Sequence, residues 1–246
     1  MLKIFRELRV LSVKSGATRK YFLYAVGEVL LVMIGILLAL QVNNWNEENK
    51  KAKKGLEYLN SLCEDLQEDS IHLSYLIDSY QYKVEKLSYM EACYDSIKNN
   101  LGEGCIKTLI EASSSFDNMR NIDRTIQQLK YEGGATLLSS EDWNKILVYD
   151  MTIGSYKIDE TTVFQETQTS LRNLMHELIN FGSDYNQSNP PKNKELIFDQ
   201  KVLNKYFNTL KLYREYCKQY YRMASFIKTL NGELSAYIKD KYSLDY

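Results

Sequence analysis

Adjacent carboxylates are the first residues in this chain whose types and spacing could do chemistry. Glu64-Asp65 and Glu68-Asp69 stand four positions apart. On a helix such groups converge and could cradle a metal ion, although the plainer reading of a run like this is a solvated face. His176-Glu177 offers less, because Asn173 stands where an ExxH metal-ligand motif needs its glutamate. The cysteines Cys63, Cys93, Cys105 and Cys217 form no CxxC, and His72 and His176 lie far from them in sequence, so no zinc or haem pattern exists. In an oxidising compartment Cys93 and Cys105 could close a short loop; the alternative leaves them unpaired, with Cys63 and Cys217 as small seam residues. Tyr213, Tyr216, Tyr220 and Tyr221 could line an aromatic cage, but rings at helical spacing are more often core or interface. There is no glycine-rich phosphate loop, GxSxG elbow, HExxH or EF-hand loop. The residues therefore point to no catalytic, cofactor or metal site, and the chain is expected not to be an enzyme.

One further carboxylate is out of place. Glu28 sits inside residues 21–42, YFLYAVGEVLLVMIGILLALQV, a stretch long enough to cross a hydrocarbon core as a helix. A charge there is costly, so Glu28 is expected near the interface, neutral, or paired with a partner helix or with Arg19 or Lys20. Gly27, Gly35 and Ala39 are read as one helical face, and Gly35-xxx-Ala39 fits the small-xxx-small pattern of close helix contact. Gly27, Glu28, Gly35 and Ala39 are thus the candidate helix–helix contacts in the membrane. Tyr21 and Tyr24 at one rim and Trp45 at the other are the candidate interfacial anchors. No small-x-small cleavage site follows the span, which favours a retained signal anchor over a cleaved signal peptide.

Residues 1–20 carry Lys3, Arg6, Arg9, Lys14, Arg19 and Lys20 against the single acid Glu7. With Ile4, Leu8 and Leu11 on one side, they read as a short basic amphipathic segment suited to an anionic inner leaflet. The positive-inside rule then sets the N-terminus in the cytoplasm of an inner-membrane protein and residues 46–246 outside it. Net charge is −1 overall, with bases scattered among acids, so nucleic acid is not an expected partner.

The run YFLYAVGEVLLVMIGILLALQVNNWNEE resembles the N-terminal signature of a family of uncharacterised single-pass membrane proteins common in Bacteroidota. The resemblance rests on Tyr21, Gly27, Glu28, Gly35, Ala39, Asn43, Asn44, Trp45 and Asn46. It covers about residues 1–50 and implies an inner-membrane anchor, a periplasmic helical region and no known enzymatic activity.

The elements that must carry these residues are helices. Only Pro190 and Pro191 interrupt a chain rich in Lys, Glu, Leu and Gln. Leu59, Leu62, Leu66, Leu73, Leu76, Tyr80, Leu87, Tyr94 and Ile97 keep a three–four rhythm, with Asp69, Lys83 and Met90 in the intervening slots, as in a seam against another helix. This helix is expected to stop at 99–104. A shorter helical zone over 105–131 would bury Phe116, Met119, Ile122, Ile126 and Leu129 and end at Gly133-Gly134. A third helix, N-capped by Ser140, would bury Ile146, Ile153, Ile158, Phe164, Leu171 and Phe181. After the loop SDYNQSNPPKN, Leu203 to Ile238 resumes the rhythm, with Asn231 expected in solvent beside Gly232. Ala135–Ser139 is too short to build a sheet.

The expected fold is all-α: one N-terminal transmembrane helix, then an extended antiparallel helical bundle with coiled-coil-like long helices. The parts are a basic cytoplasmic segment (1–20), a signal anchor (21–42), a stalk or bundle helix (43–100) and the remaining helices (101–246). The expected task is that of an interaction or scaffold module of the cell envelope, homo-oligomeric or bound to an envelope partner. The alternative is a periplasmic sensor that binds a small ligand and signals through a membrane partner.

Overall fold

A computed structural model describes residues 18–98, 103–114, 117–180, 195–196 and 199–244. Residues 1–17, Phe116, Phe181 and the SDYNQSNPPKN loop, each given a role in the sequence reading, lie outside them. Helix α1 runs Thr18–Ser88, α2 Met90–Lys98, α3 Glu103–Ser114, α4 Arg124–Glu132 and α5 Gly134–Leu137. Helix α6, Ser140–Asp159, passes through a π-helical turn at Glu160–Phe164 into α7, Gln165–Leu178, and α8 spans Gln200–Tyr242. The chain is all-α, as expected. One antiparallel ladder of two residue pairs, Ile179 with Leu196 and Asn180 with Glu195, closes the connection between α7 and α8.

The chain divides into two units, residues 1–55 and 56–246. The first holds the apolar part of α1. The second is a bundle built on the part of α1 from Leu56 onward. There Leu59, Leu62, Leu66, Leu73, Leu76, Tyr80 and Leu87 are all buried, Asp69 and Lys83 fill slots between them, and Met90 at the start of α2 continues the buried line. Pairings along the helices fix their directions. Tyr94 donates to Asn204 (2.7 Å), Tyr80 stacks on Tyr220 (5.9 Å) and Asn231 donates to the Leu66 carbonyl (3.0 Å), so α1–α2 and α8 are antiparallel. Tyr149 reaches Asp69 and Tyr156 reaches Tyr80, so α6 runs parallel to α1. Burial of these seams supplies roughly 25 cal/mol for each Å² of apolar surface withdrawn from water.

Several local expectations are corrected. The zone over 105–131 is not one helix: α3 ends at Ser114, residues 117–123 are non-helical, and α4 begins at Arg124. The cap of α6 is Ser139, whose hydroxyl accepts from the Asp142 amide, and Ser140 is already helical. Ile158 is exposed; Tyr156 and Glu160 take the inner positions on either side of it. Asn231 is buried rather than solvated. Gly133, at φ 78°, ends α4 in the left-handed conformation, and its N–H returns to the Leu129 carbonyl. Gly134 has no room for a Cβ, which would sit 2.6 Å from the Trp143 ring.

Candidate functional site

Among the described residues, none in the apolar part of α1 is buried. Phe22, Leu23, Val29, Leu31, Ile34 and Leu38 are all more than half exposed. So long an apolar surface needs lipid or a partner. A Cβ placed on Gly27 or Gly35 meets nothing within 4 Å. At about 100° per residue, Glu28, Gly35 and Ala39 fall within ~40° of one another, while Gly27 lies ~80° round from Gly35. The line of candidate contacts is therefore Glu28–Gly35–Ala39, with Gly27 to one side. Tyr24 and Trp45 are exposed at the two ends of the stretch. The side chain of Tyr21 lies outside the described residues. Beyond Val42, Asn43 donates to Glu47 at 3.2 Å.

Within the bundle, the inner face of α1 carries polar groups at core positions. The non-helical strap 117–123 has no helical hydrogen bonds of its own, so these groups take its backbone. Ile122 N–H donates to Asp69 Oδ1 (2.7 Å), and Thr125 N–H, just inside α4, to Asp65 Oδ2 (3.1 Å). Met119 N–H lies between both oxygens of Glu160, at 3.1 and 2.9 Å. His72 Nε2 lies 3.1 Å from both the Asn118 carbonyl oxygen and the Arg120 amide nitrogen. Asp65 also accepts from the Arg124 guanidinium (2.9 Å). Asp65 and Asp69 are buried, at 3% and 1% exposure. The solvated face expected for these carboxylates is confined to their neighbours Glu64 and Glu68, which are exposed.

Two charges at the centre of the network satisfy each other. Lys83, 1% exposed, meets Asp117 at 2.7 Å. Asp117 also accepts from Tyr75 (2.9 Å) and from Ser79. Burial pushes the Asp117 carboxyl up, but Lys83 and the two hydroxyls outweigh it and hold the group below the ordinary carboxylate range. Glu160 goes the other way: burial raises it, and the Met119 N–H and Tyr80 hydroxyl only partly oppose this. Asp69 is pushed up to about 6 by burial against the pull of Ile122 N–H and Tyr149. A separate cluster fastens the last turn of α8. Asp142 accepts from Ser139 (2.6 Å), Tyr242 (2.6 Å), Tyr237 (2.8 Å) and Lys241 (2.7 Å).

Among the described residues, no group of three or more His, Cys, Asp or Glu side chains is placed to hold a metal ion. The aromatic cage is filled. Tyr213 stacks on Phe164 (5.1 Å), and Tyr220 packs against Phe164, Tyr156 and Tyr80. Tyr216 and Tyr221 lie partly exposed beside this core. Cys93 and Cys105 form a disulfide joining α2 to α3, with Cα atoms 5.3 Å apart. Cys63 and Cys217 are free and buried, and burial pushes Cys217 up to about 12.

Among the described residues, open grooves lie on the bundle surface beside α8. One, of about 290 Å³ between α6 and α8, is lined by Val148, Leu230, Leu234 and the Tyr237 ring, with Lys145 and Glu233 at its edges. Another, of about 510 Å³ between α2 and α8, is polar, with Glu91, Asp95, Asn208 and Lys211 on its walls.

Pattern reading found the slots of Asp69 and Lys83 but not Asp117, which pairs with Lys83, nor the buried acids Glu160 and Asp142. The one signal of such a network was Asp65, Asp69 and Lys83 standing at the core rhythm of α1. No curated protein and no solved structure matches this sequence significantly. The similarity that does emerge runs past the N-terminal signature, through the inner face of α1 and the strap: residues 28–124 match a family of unknown function, DUF6090.

Proposed function

We propose that this chain is a single-pass membrane-anchored protein whose helical bundle stands outside the cytoplasm. It serves there as an interaction module of the cell envelope and acts by positioning a partner, without turnover. The disulfide between Cys93 and Cys105 carries this reading. Such bonds persist in oxidising compartments and are rare in the cytosol, so a bundle that holds one belongs on the far side of the span. The basic residues before Tyr21 support the same orientation, with the N-terminus cytoplasmic. The N-terminal resemblance supports an inner membrane of the Bacteroidota type, with a periplasmic bundle. In the bilayer, Glu28, Gly35 and Ala39 contact a partner helix, from a second copy or an envelope protein, while Tyr24 and Trp45 sit at the headgroups. The open apolar groove between α6 and α8 supports a protein-binding task over a sensor's enclosed ligand site.

Topology tests this directly. Cys217 and Cys63 are too buried to report, whereas Tyr131 is 93% exposed. A Tyr131→Cys chain in spheroplasts should react with a membrane-impermeant maleimide before lysis. Reaction only after lysis would reverse the orientation.

A further inference from the structure

We infer that residues 117–123 act as a pH-dependent latch: the strap lies closed on α1 and the π-helical turn at mildly acid pH and opens locally as pH rises toward neutral. This inference is independent of the tether and the partner proposed above. Both ends of the strap are fixed by ionic contacts. Asp117 meets Lys83 at 2.7 Å and accepts from Tyr75 and Ser79. Arg124 meets Asp65 at 2.9 Å, and the Thr125 N–H donates to the same carboxylate. Beyond these ends, α3 is tied to α2 by the disulfide, and α4 buries Ile126 and Leu129. Between them the backbone is held by side chains that titrate. Met119 N–H lies between the two oxygens of Glu160, Arg120 N–H points to His72 Nε2, and Ile122 N–H donates to Asp69. A helix keeps its own hydrogen bonds at any pH, whereas a strap held in this way depends on the protons of its acceptors.

The direction follows from what surrounds each group. Burial raises Asp69 to about 6 against the pull of Ile122 N–H, Tyr149 and His72, with Asp65 adding to the rise. Burial raises Glu160 too, against Met119 N–H, the Tyr80 hydroxyl, Lys157 on α6 and Lys83 on α1. Helix α8 reaches the two acids through neutral groups, Asn231 on the Tyr149 hydroxyl and the Tyr220 ring on Tyr80. Both acids hold their protons more tightly in the closed strap than in water, so the open form gains as pH rises through about 6. At Asp117 burial is outweighed by Lys83 and the hydroxyls of Ser79 and Tyr75, so this carboxylate stays ionised over the same interval and keeps its end fixed. His72 does not set the direction. Its Nε2 lies 3.1 Å from both the Arg120 amide nitrogen and the Asn118 carbonyl oxygen. Without a proton it accepts from the first, and with one it donates to the second, so it grips the strap in either state. The strap's remaining charges lie at its surface: Arg120 is exposed, and Asp123 accepts from Gln127. Opening bares Asp69, Glu160 and the Met119 side chain, which is 5% exposed when the strap is closed, and so changes the surface of the bundle beside α1.

The experiment is amide hydrogen exchange of the full chain in detergent, read by mass spectrometry between pH 5 and 7.5 and corrected for the intrinsic pH dependence of exchange. A local opening makes strap amides less protected than those of Leu203 to Tyr220 in α8, and insensitive to low urea that speeds exchange in α8. Titration of Asp69 from about 6 closed to 3.8 open gives a roughly tenfold fall in strap protection over this range, and Glu160 adds to it. Asp69→Asn with Glu160→Gln should abolish the fall, and His72→Gln should leave it in place. Each acid substituted alone should flatten it in part, which keeps the test available if the double variant does not fold. Strap protection that does not change with pH overturns the inference. So does strap exchange that matches α8 and follows urea, which would mean that the strap opens only with the whole bundle. A fall that survives both acid substitutions, or that disappears with His72→Gln, overturns it as well.

Discussion

Asp69 shows how a carboxylate can sit in a hydrophobic seam. Its oxygens accept from Ile122 N–H and from Tyr149, and Asn231 donates to the same tyrosine at 2.9 Å. All of its partners are neutral, so burial wins and the group titrates near 6 instead of the ordinary 3.8. Asp117 is equally sequestered but faces Lys83, and its carboxyl stays below the ordinary range. The two acids therefore respond to pH in opposite directions. For Asp69 the folded state holds its proton more tightly than the unfolded state. Its contribution to stability is fully present below pH 3.8 and is lost as pH rises through about 6. The difference corresponds to about 3 kcal/mol. Asp69→Asn removes this titration while keeping an acceptor for Ile122 N–H. Denaturant unfolding of the detergent-solubilised chain should show the wild type losing stability relative to Asp69→Asn between pH 4.5 and 7.5. A stability difference that is flat over this range would mean Asp69 titrates normally.

At the scale of elements, the disulfide and the strap hold the parts of the bundle that helix packing does not. Cys93 and Cys105 are separated by 12 residues, and closing a loop of that size stabilises by about 3 kcal/mol in the chain-entropy account. Cys93→Ser should lower the unfolding midpoint of the solubilised chain. Dithiothreitol should do the same to the wild type and add nothing to the variant. Equal sensitivity of both proteins to the reductant would show that the bond is not formed in the cell. The long helices were legible because a three–four rhythm of Leu, Ile and Tyr is a local property of the chain. The strap was not. Met119, Ile122, Ile126 and Leu129 keep helical spacing, yet residues 117–123 leave the helix because Asp69, His72 and Glu160 take the backbone groups. Those acceptors lie about 40 to 50 positions away, where no local pattern points. Asn231 was misjudged for a related reason. Its neighbour Gly232 suggests an exposed turn, but Leu66 O and Tyr149 give its amide two buried acceptors. At Ile158 the apolar residue was read as inward, but Tyr156 takes the inner turn, where its hydroxyl donates to Tyr80.

The whole molecule is divided by what each part can bury. Residues 56–246 close a core over Tyr, Leu and Ile side chains, and the buried acids Asp65, Asp69, Asp117, Asp142 and Glu160 find donors beside it. Among the described residues, none from 22 to 42 is buried, and a single helix cannot bury its own circumference. Water is therefore the wrong solvent for one part and the right one for the other. The bilayer resolves the conflict only while the stretch stays apolar. An arginine at the centre of a spanning helix costs about 2.5–3.5 kcal/mol on an insertion scale, so Leu31→Arg with Ile34→Arg removes roughly 6 kcal/mol of insertion free energy. Both positions are exposed and lie outside the bundle unit, so its packing has no reason to change. The double variant should leave the membrane pellet on alkaline extraction and retain the helical circular dichroism and unfolding midpoint of the bundle. A double variant that stays in the pellet would show that something other than Phe22–Val42 holds the chain at the membrane.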